Sequence, residues 1–393
     1  MDHHRKRIAI VVQRYGPEVL GGSESLARSL AHLLADIYDI EVLTTCAKDY
    51  VTWKNEFPAG ESMDGPVKVR RFIVDRPRSR WFNIYNALML KVPHTRWMEE
   101  AWMRMQGPYS SDMIRHINSD PDRYHAFIFM TYMYGTTYYG SCKVIGRSIL
   151  VPTAHDEPYI RFGIYRNMFA RAWSVICLTD EEKILVEGLF GLRGRCSVIG
   201  APVGECSGDP QKALNKHGIN GPFLTYIGRI DVMKGVDTMI DYFNRYISEH
   251  GPDLSLVLCG TGPLEVPQSK NIHYIGFVPE EDKYGIIRAA LATVIPSRFE
   301  SYSIAAIESM KCGTPVIVNN ECATLKGHCD RGGGGLAYSS YDEFRDSVNR
   351  IRDEPGLRGR MAQSGISYVH ENYSMETLGK KYISLLDGLT TKK

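Results

Sequence analysis

Long hydrophobic runs are missing from this sequence. The apolar stretch in MDHHRKRIAIVV is cut off by Gln13 and Arg14, too soon for a membrane span or a secretory leader. Charge of one sign is also missing: 47 Lys and Arg oppose 45 Asp and Glu, a net of +2, which argues against a dedicated nucleic-acid binder. Nine cysteines include no C-x-x-C pair and make an odd total, which suits a reducing cytosol better than a disulfide framework. Cys312, Cys322, His328 and Cys329 lie near one another in sequence, but their spacing matches no common zinc site, and the thiols read as structural. The loop after the first strand lacks G-x-G-x-x-G, which removes the main support for a nicotinamide cofactor. A Ser/His/Asp arrangement is missing too, as are paired acids at a recognisable spacing, so a hydrolase is the weaker expectation.

What is present is an α/β pattern long enough for two cores, since domains mostly run about 100 to 200 residues. In the first half, Arg7 to Val12, Ile40 to Thr45, Val67 to Val74, Ala126 to Met130, Ile149 to Thr153 and Val175 to Leu178 read as strands, with a helix over Ser23 to Ala35. From Gly200 to Pro222 periodicity fades, which marks a linker. Strands then resume at Phe223 to Ile227, Leu254 to Cys259, Ile272 to Tyr274, Ala292 to Ile295 and Val316 to Val318, with helices over Val236 to Ile247 and Glu280 to Ala290. A last helix is expected over Ser374 to Leu389. The predicted organisation is a Rossmann-like domain over 1–203, a second over 204–372 facing it across a cleft, and a helix in 373–393 packing back on the first.

Between Leu291 and Asn319 lies the densest unit, with Ser301 and Ser303 as candidate helix N-caps and Glu300 and Glu308 bracketing the helix start. Carboxyl ends of parallel strands bind ligands in open α/β sheets. Four such ends follow one another in the second half. GRIDVMKG offers Arg229 and Lys234, flanked by Gly228 and Gly235, as cations for a diphosphate. CGTGP offers Gly260 and Gly262 for close backbone approach, GFVPEED offers a platform, and the fourth is the Glu300 loop. In the first half, Gly21 and Gly22 precede a helix start, and TYMYGTTYYG and PTAHDEP place tyrosines and His155 after strands. Arg70 to Trp102 interleaves basic and aromatic residues, a composition that suits an anionic membrane surface or a lipid-linked phosphate as well as a solvated helical face. The Asp120-Pro121-Asp122 triplet precedes its strand and reads as a turn rather than a metal motif.

The order GGSE, AHDE, GRIDVMKG, GTGP, GFVPEED and E-x7-E followed by CGTPVIV resembles the retaining glycosyltransferases of family 4, with the GT-B fold. The resemblance implies transfer of a sugar from a nucleotide-diphosphate donor, UDP- or GDP-linked, to a saccharide or lipid-linked acceptor. It implies no bound metal and no cofactor beyond the donor itself; the cysteine usage points to a cytoplasmic protein, and the 70–102 composition to one at most peripheral at the inner membrane face. It assigns Arg229 and Lys234 to the diphosphate, Glu300 to the donor sugar, Glu308 to the ribose, the backbone near Val278 to the base, Gly21 and Gly22 to the donor phosphates, and His155 to the sugar near the reacting carbon. This sequence carries Tyr302-Ser303 where the family commonly has Phe-Gly, and Glu308-Ser309 where Glu-Ala is common, so Tyr302 is the first place to look for donor choice. No residue of the first half clearly supplies a carboxylate nucleophile, so same-face attack is expected, with Glu300 as a positioning group. The alternatives are a nucleotide-sugar epimerase or phosphorylase of the same fold, and a non-enzymatic binding module.

Overall fold

The computed structural model describes residues 5–19 and 21–389. The chain divides into two compact units: Met1–Pro202 together with Met375–Lys393, and Val203–Ser374.

Unit 1 is built on eight strands: β1 (Arg7–Val11), β2 (Asp39–Thr45), β3 (Gly60–Asp64), β4 (Val67–Phe72), β5 (Ala126–Met130), β6 (Ser148–Val151), β7 (Ser174–Cys177) and β8 (Cys196–Val198). They pair in the order β3-β4-β2-β1-β5-β6-β7-β8. Only β3 runs antiparallel, against β4. The strand AFIFM of β5 is buried at every residue, as expected where helices cover both faces of a parallel sheet. The unpredicted β3, GESMD, is the opposite case, a polar edge strand turned back through Asp64-Gly65, so it has no apolar pattern to read. Chain order reverses at β1, whose neighbours are β2 and β5.

Unit 2 carries β9 (Phe223–Ile227), β10 (Ser255–Cys259), β11 (Ile272–Gly276), β12 (Ala292–Ile295), β13 (Val316–Asn319) and β14 (Gly335–Tyr338). All are parallel, in the order β11-β10-β9-β12-β13-β14. Along β10, Leu256 and Leu258 join one core cluster and Val257 and Cys259 another, so the alternation of a strand feeds two layers. Order reverses here between β9 and β12, which pair directly.

One expectation needs correction. The stretch 200–222 is not a bare linker: Pro210–His217 is a helix, capped by the Asp209 carboxylate accepting from Lys212 N at 3.1 Å and ended by Gly218 at φ 65°. It was illegible because only Ala213 along it is buried. In the basic and aromatic stretch 70–102, Arg70 pairs with Glu41 and Glu61, and Phe82, Met89 and Trp102 are core. The exposed large apolar residues there are Ile73, Trp81, Ile84, Leu88, Leu90, Val92 and Trp97. The last helix, Met375–Asp387, belongs to unit 1, with Leu378, Tyr382 and Leu386 buried and Leu386 O bonded to His125 Nε2 at 3.0 Å.

Candidate active site

The unit 2 rim begins where β9 stops. The Asp231 carboxylate accepts from Met233 N at 2.9 Å and caps the single turn Val232–Lys234. It also pairs with Arg229 Nε at 3.0 Å. That turn aims Lys234 at the loop after β12, where its Nζ lies 2.7 Å from Glu300 Oε1, with both side chains largely shielded from water. The contact spans β9 and β12, the point of order reversal, where open α/β sheets bind ligands. Burial pushes the Tyr226 phenol's pKa up, and the nearby Glu300 charge adds to it. The Tyr226 hydroxyl donates to Arg229 O at 2.7 Å and fixes the start of this loop.

Gly260 and Gly262 do something the sequence reading did not foresee. The CGTGP loop lies directly on the GRI loop, with Ile230 N donating to Thr261 O at 3.1 Å and Leu264 N to Ile230 O at 3.1 Å. A Cβ at Gly260 would collide with Gly228 O, and one at Gly262 with Ile230 O. Close backbone approach is present at both positions, between two loops of the protein. Val278 has its side chain buried in the second core cluster, which leaves its backbone as the part that could face a ligand.

In the Glu300 loop, Ser297 Oγ donates to Phe299 O, Ser301 is half-buried and Tyr302 is buried. Ser303 occupies the N-cap of the helix Ile304–Lys311 at φ 60°, ψ 78°, and its side chain makes no cap bond, contrary to the capping role expected of it. A non-glycine residue in the left-handed region costs of order 1 kcal/mol or more, so its surroundings must hold it. They do so through Tyr302 O, which lies 2.9 Å from His328 Nε2. A carbonyl only accepts, so Nε2 carries the proton, and in the neutral imidazole Nδ1 accepts from Tyr368 OH at 2.9 Å. Tyr373 OH lies 3.1 Å from Tyr368 OH and completes the chain.

Glu308 stands apart from Glu300. It is buried, and its Oε1 accepts from Lys283 Nζ at 2.7 Å and Tyr284 OH at 2.8 Å, both from the helix Glu280–Ala289. Burial beside this carboxylate pushes the Tyr284 pKa up. Asp231, Lys283, Tyr284 and His328 were not singled out as site groups. Lys283 directly follows the quoted GFVPEED, and Asp231 lies within GRIDVMKG, so both were in view as letters without a partner.

The unit 1 rim flanks its own reversal point. After β1, the helix Gly22–Ala35 starts at Gly21. A Cβ on Gly21 would strike the Glu24 carboxylate, which Arg14 Nε and Gln13 Nε2 hold from 2.9 Å each. Gly22 has open space around it. Past β5 and β6, Thr131 (φ 65°) and Thr153 (φ 51°) are both left-handed, and Thr153 Oγ1 lies 3.3 Å from Thr131 Oγ1. Two β-branched residues in that region on adjacent strand ends mark stored strain of about 1 to 3 kcal/mol each. The buried Glu182 carboxylate accepts from Ala154 N at 2.5 Å and Leu178 N at 2.6 Å, pinning the backbone just before His155. His155 Nε2 lies 3.5 Å from Glu157 Oε2, and Glu157 Oε1 accepts from Tyr132 OH at 2.7 Å. Asp122 pairs with Arg147 beside the short turn Pro121–Arg123. Among the described residues no group of three or more His, Cys, Asp and Glu side chains is arranged to hold a metal ion.

Comparison with known proteins agrees with this architecture. Residues 210–368 match the family model described as glycosyl transferases group 1. An alpha-D-kanosaminyltransferase of Streptomyces kanamyceticus is 27% identical over 169 residues, 40% of this chain and 43% of that protein. A D-inositol 3-phosphate glycosyltransferase of Corynebacterium jeikeium is 26% identical over 258 residues, 58% of this chain and 61% of that protein. The chain thus spans about half the length of these curated relatives. Among solved structures, sucrose-phosphate synthase from Thermosynechococcus elongatus superposes with a TM-score of 0.73 at 16% identity, over 98% of this chain and 99% of that one. Anabaena HepE in complex with UDP and glucose gives 0.71 at 14% identity, over 98% and 100%. At such identities the likeness establishes the fold, GT-B.

Proposed function

We propose, for a chain of GT-B fold whose residues 210–368 are a group 1 glycosyltransferase domain, that it moves a sugar with retention of configuration from a UDP- or GDP-linked donor to a saccharide or lipid-linked saccharide. The observation that carries this reading is the Lys234–Glu300 contact across the β9/β12 reversal, a cation and a carboxylate presented together at a ligand-binding rim. In the proposed reaction the bond between the anomeric carbon and the phosphate oxygen breaks, and the acceptor oxygen bonds to that carbon from the same face. The acceptor's proton passes to the departing phosphate. Negative charge builds on the leaving diphosphate, so Lys234 and Arg229 stabilise the transition state more than the ground state, with no metal required. Glu300 positions the donor sugar through its hydroxyls, and Glu308 with Lys283 receives the ribose. In unit 1, read as the acceptor domain, the Gly21-Gly22 backbone is the candidate phosphate contact and His155, steadied by Glu157, the candidate sugar contact.

No helix among the described residues is long and apolar enough to cross a membrane. Exposed Trp81, Ile84, Leu88, Leu90 and Trp97 beside exposed Arg80, Lys91 and Arg96 support peripheral contact with an anionic cytoplasmic membrane face and a role in surface glycoconjugate synthesis.

Nucleotide binding tests the donor site first. UDP or GDP at one hundred times its dissociation constant stabilises the fold by about 2.7 kcal/mol, and a melting curve unmoved by either overturns the assignment. For the chemistry, Glu300→Gln should lower kcat by about 10² to 10³ with nucleotide affinity retained, and the product should keep the donor's anomeric configuration by NMR. A trapped covalent glycosyl-enzyme would overturn same-face attack.

A further inference from the structure

Most buried or half-buried arginines of unit 1 have a carboxylate. Arg14 pairs with Glu24, and Arg70 with Glu41 and Glu61. Arg78 is half-buried and has none among the described residues. Its guanidinium lies 4.9 Å from the Phe82 ring centroid and 5.6 Å from that of Trp53. Its one hydrogen bond, Nε to Gln106 O at 3.5 Å, is long, and that carbonyl already accepts from Trp53 Nε1 at 2.9 Å. Burial draws the Arg78 pKa down, and the more distant Asp49 charge offsets this only in part.

The surroundings are built. Trp53 is fully buried at φ 60°, an outlier for so bulky a residue, and its ring meets Tyr134 edge-on at 5.2 Å. Tyr134 is itself half-buried, and burial pushes its pKa up to about 12, with Arg78 and Arg14 pulling the other way. Trp53 comes from the segment after β2, Arg78 from that after β4 and Tyr134 from that after β5. These strands surround β1, so the cluster sits at the carboxyl rim where unit 1 reverses its order.

We propose that Arg78 recognises an oxyanion, phosphate or carboxylate, on the acceptor that unit 1 receives, with the Tyr134 hydroxyl beside it. The proposal rests on reading unit 1 as the acceptor domain and goes beyond it by naming the acceptor's class. The planar guanidinium fork matches such a group bidentately, and the low-dielectric setting strengthens the pairing. The substrate thereby supplies the counter-charge that the protein omits. A neutral acceptor would leave the half-buried cation unpaired, so discrimination follows from the same geometry.

Calorimetric titration of the full chain with glucose, glucose 6-phosphate and glucuronate tests this. At least one anionic sugar should bind tenfold or more tightly than glucose. Arg78→Met, which keeps the stem, should erase most of that difference, and Arg78→Lys, which keeps charge without the fork, should erase part of it. Cosedimentation with phosphatidylcholine vesicles with and without phosphatidic acid separates the sources: Arg78-dependent binding only to the latter means a lipid-borne phosphate. Equal binding of glucose and both anions, with no Arg78-dependent vesicle binding, overturns the proposal, as does an Arg78→Met variant that binds the anionic probe like wild type. The nucleotide melting shift, read on the same variants, reports the donor site separately. Its loss in wild type with anion binding intact would sink the donor reading and leave this one standing.

Discussion

At the scale of single residues, strain and buried charge cluster on the two rims. Ser303, Thr131, Thr153 and Trp53 are the described non-glycine residues at positive φ, and each lies in a segment following a strand end. Such conformations persist only where neighbours over-determine them. For Thr153 a large share of that work falls to Glu182, which grips the amide of the next residue. Burial raises the Glu182 pKa to about 8, against the opposing pull of its two backbone donors. A folded-state value above the unfolded one means the native protein holds this proton more tightly. The resulting stabilisation is complete below about pH 4.5 and is lost as pH rises through about 8. Urea midpoints read at pH 5, 7 and 9 should therefore fall in wild type. Glu182→Gln, which cannot titrate, should be weaker at pH 5, because one backbone donor loses its acceptor, but flatter across the range. Equal slopes in the two proteins would remove Glu182 as the cause.

At the scale of elements, the strands that apolar patterning could reveal were legible, with β5, β9 and β12 expected at their observed bounds. The polar edge strand β3 and the helix Pro210–His217 were not, because each buries too little to leave a periodic trace. The site divides the same way. Glycines, cations and acids at strand ends could be read as ligand-facing letters, but their partners could not, since Lys234 meets Glu300 across 66 positions and Glu308 meets Lys283 across 25. Least legible was the support beneath the Glu300 loop. His328 drew notice only as a poor zinc ligand, yet it ties Tyr302 O to the tyrosines of the helix Pro355–Tyr373. Tyr368→Phe removes the donor to His328 and the acceptor of Tyr373 in one step. A cost of about 1 to 3 kcal/mol in the stability of unit 2 is expected. Tyr373→Phe, which removes only the terminal donor, should cost less. If the two substitutions cost the same, the hydrogen-bond order deduced here is wrong.

At the scale of the molecule, the chain leaves unit 1 at Pro202 and returns to it at Met375, so unit 2 is one continuous stretch while unit 1 is two. The returning helix buries Leu378, Tyr382 and Leu386. At about 1.5 to 3 kcal/mol for each large side chain fully buried, these three contribute on the order of 4.5 to 9 kcal/mol, comparable to the whole stability of an ordinary domain. Contacts at its middle and its C-terminal end fix its register: Tyr382 OH donates to Gly200 O at 3.3 Å, and Lys6 pairs with Asp387. A chain ending at Ser374 should therefore lose unit 1 selectively. The sequence provides the means to see this, because all five tryptophans (Trp53, Trp81, Trp97, Trp102 and Trp173) lie in unit 1. Their fluorescence should unfold at much lower urea in the shortened chain, or already be that of an unfolded protein in water. Nucleotide binding, assigned to unit 2, should survive. Simultaneous loss of tryptophan burial and nucleotide binding would mean that unit 2 does not hold its fold independently, and an unchanged tryptophan transition would mean that the returning helix contributes far less than its buried side chains imply.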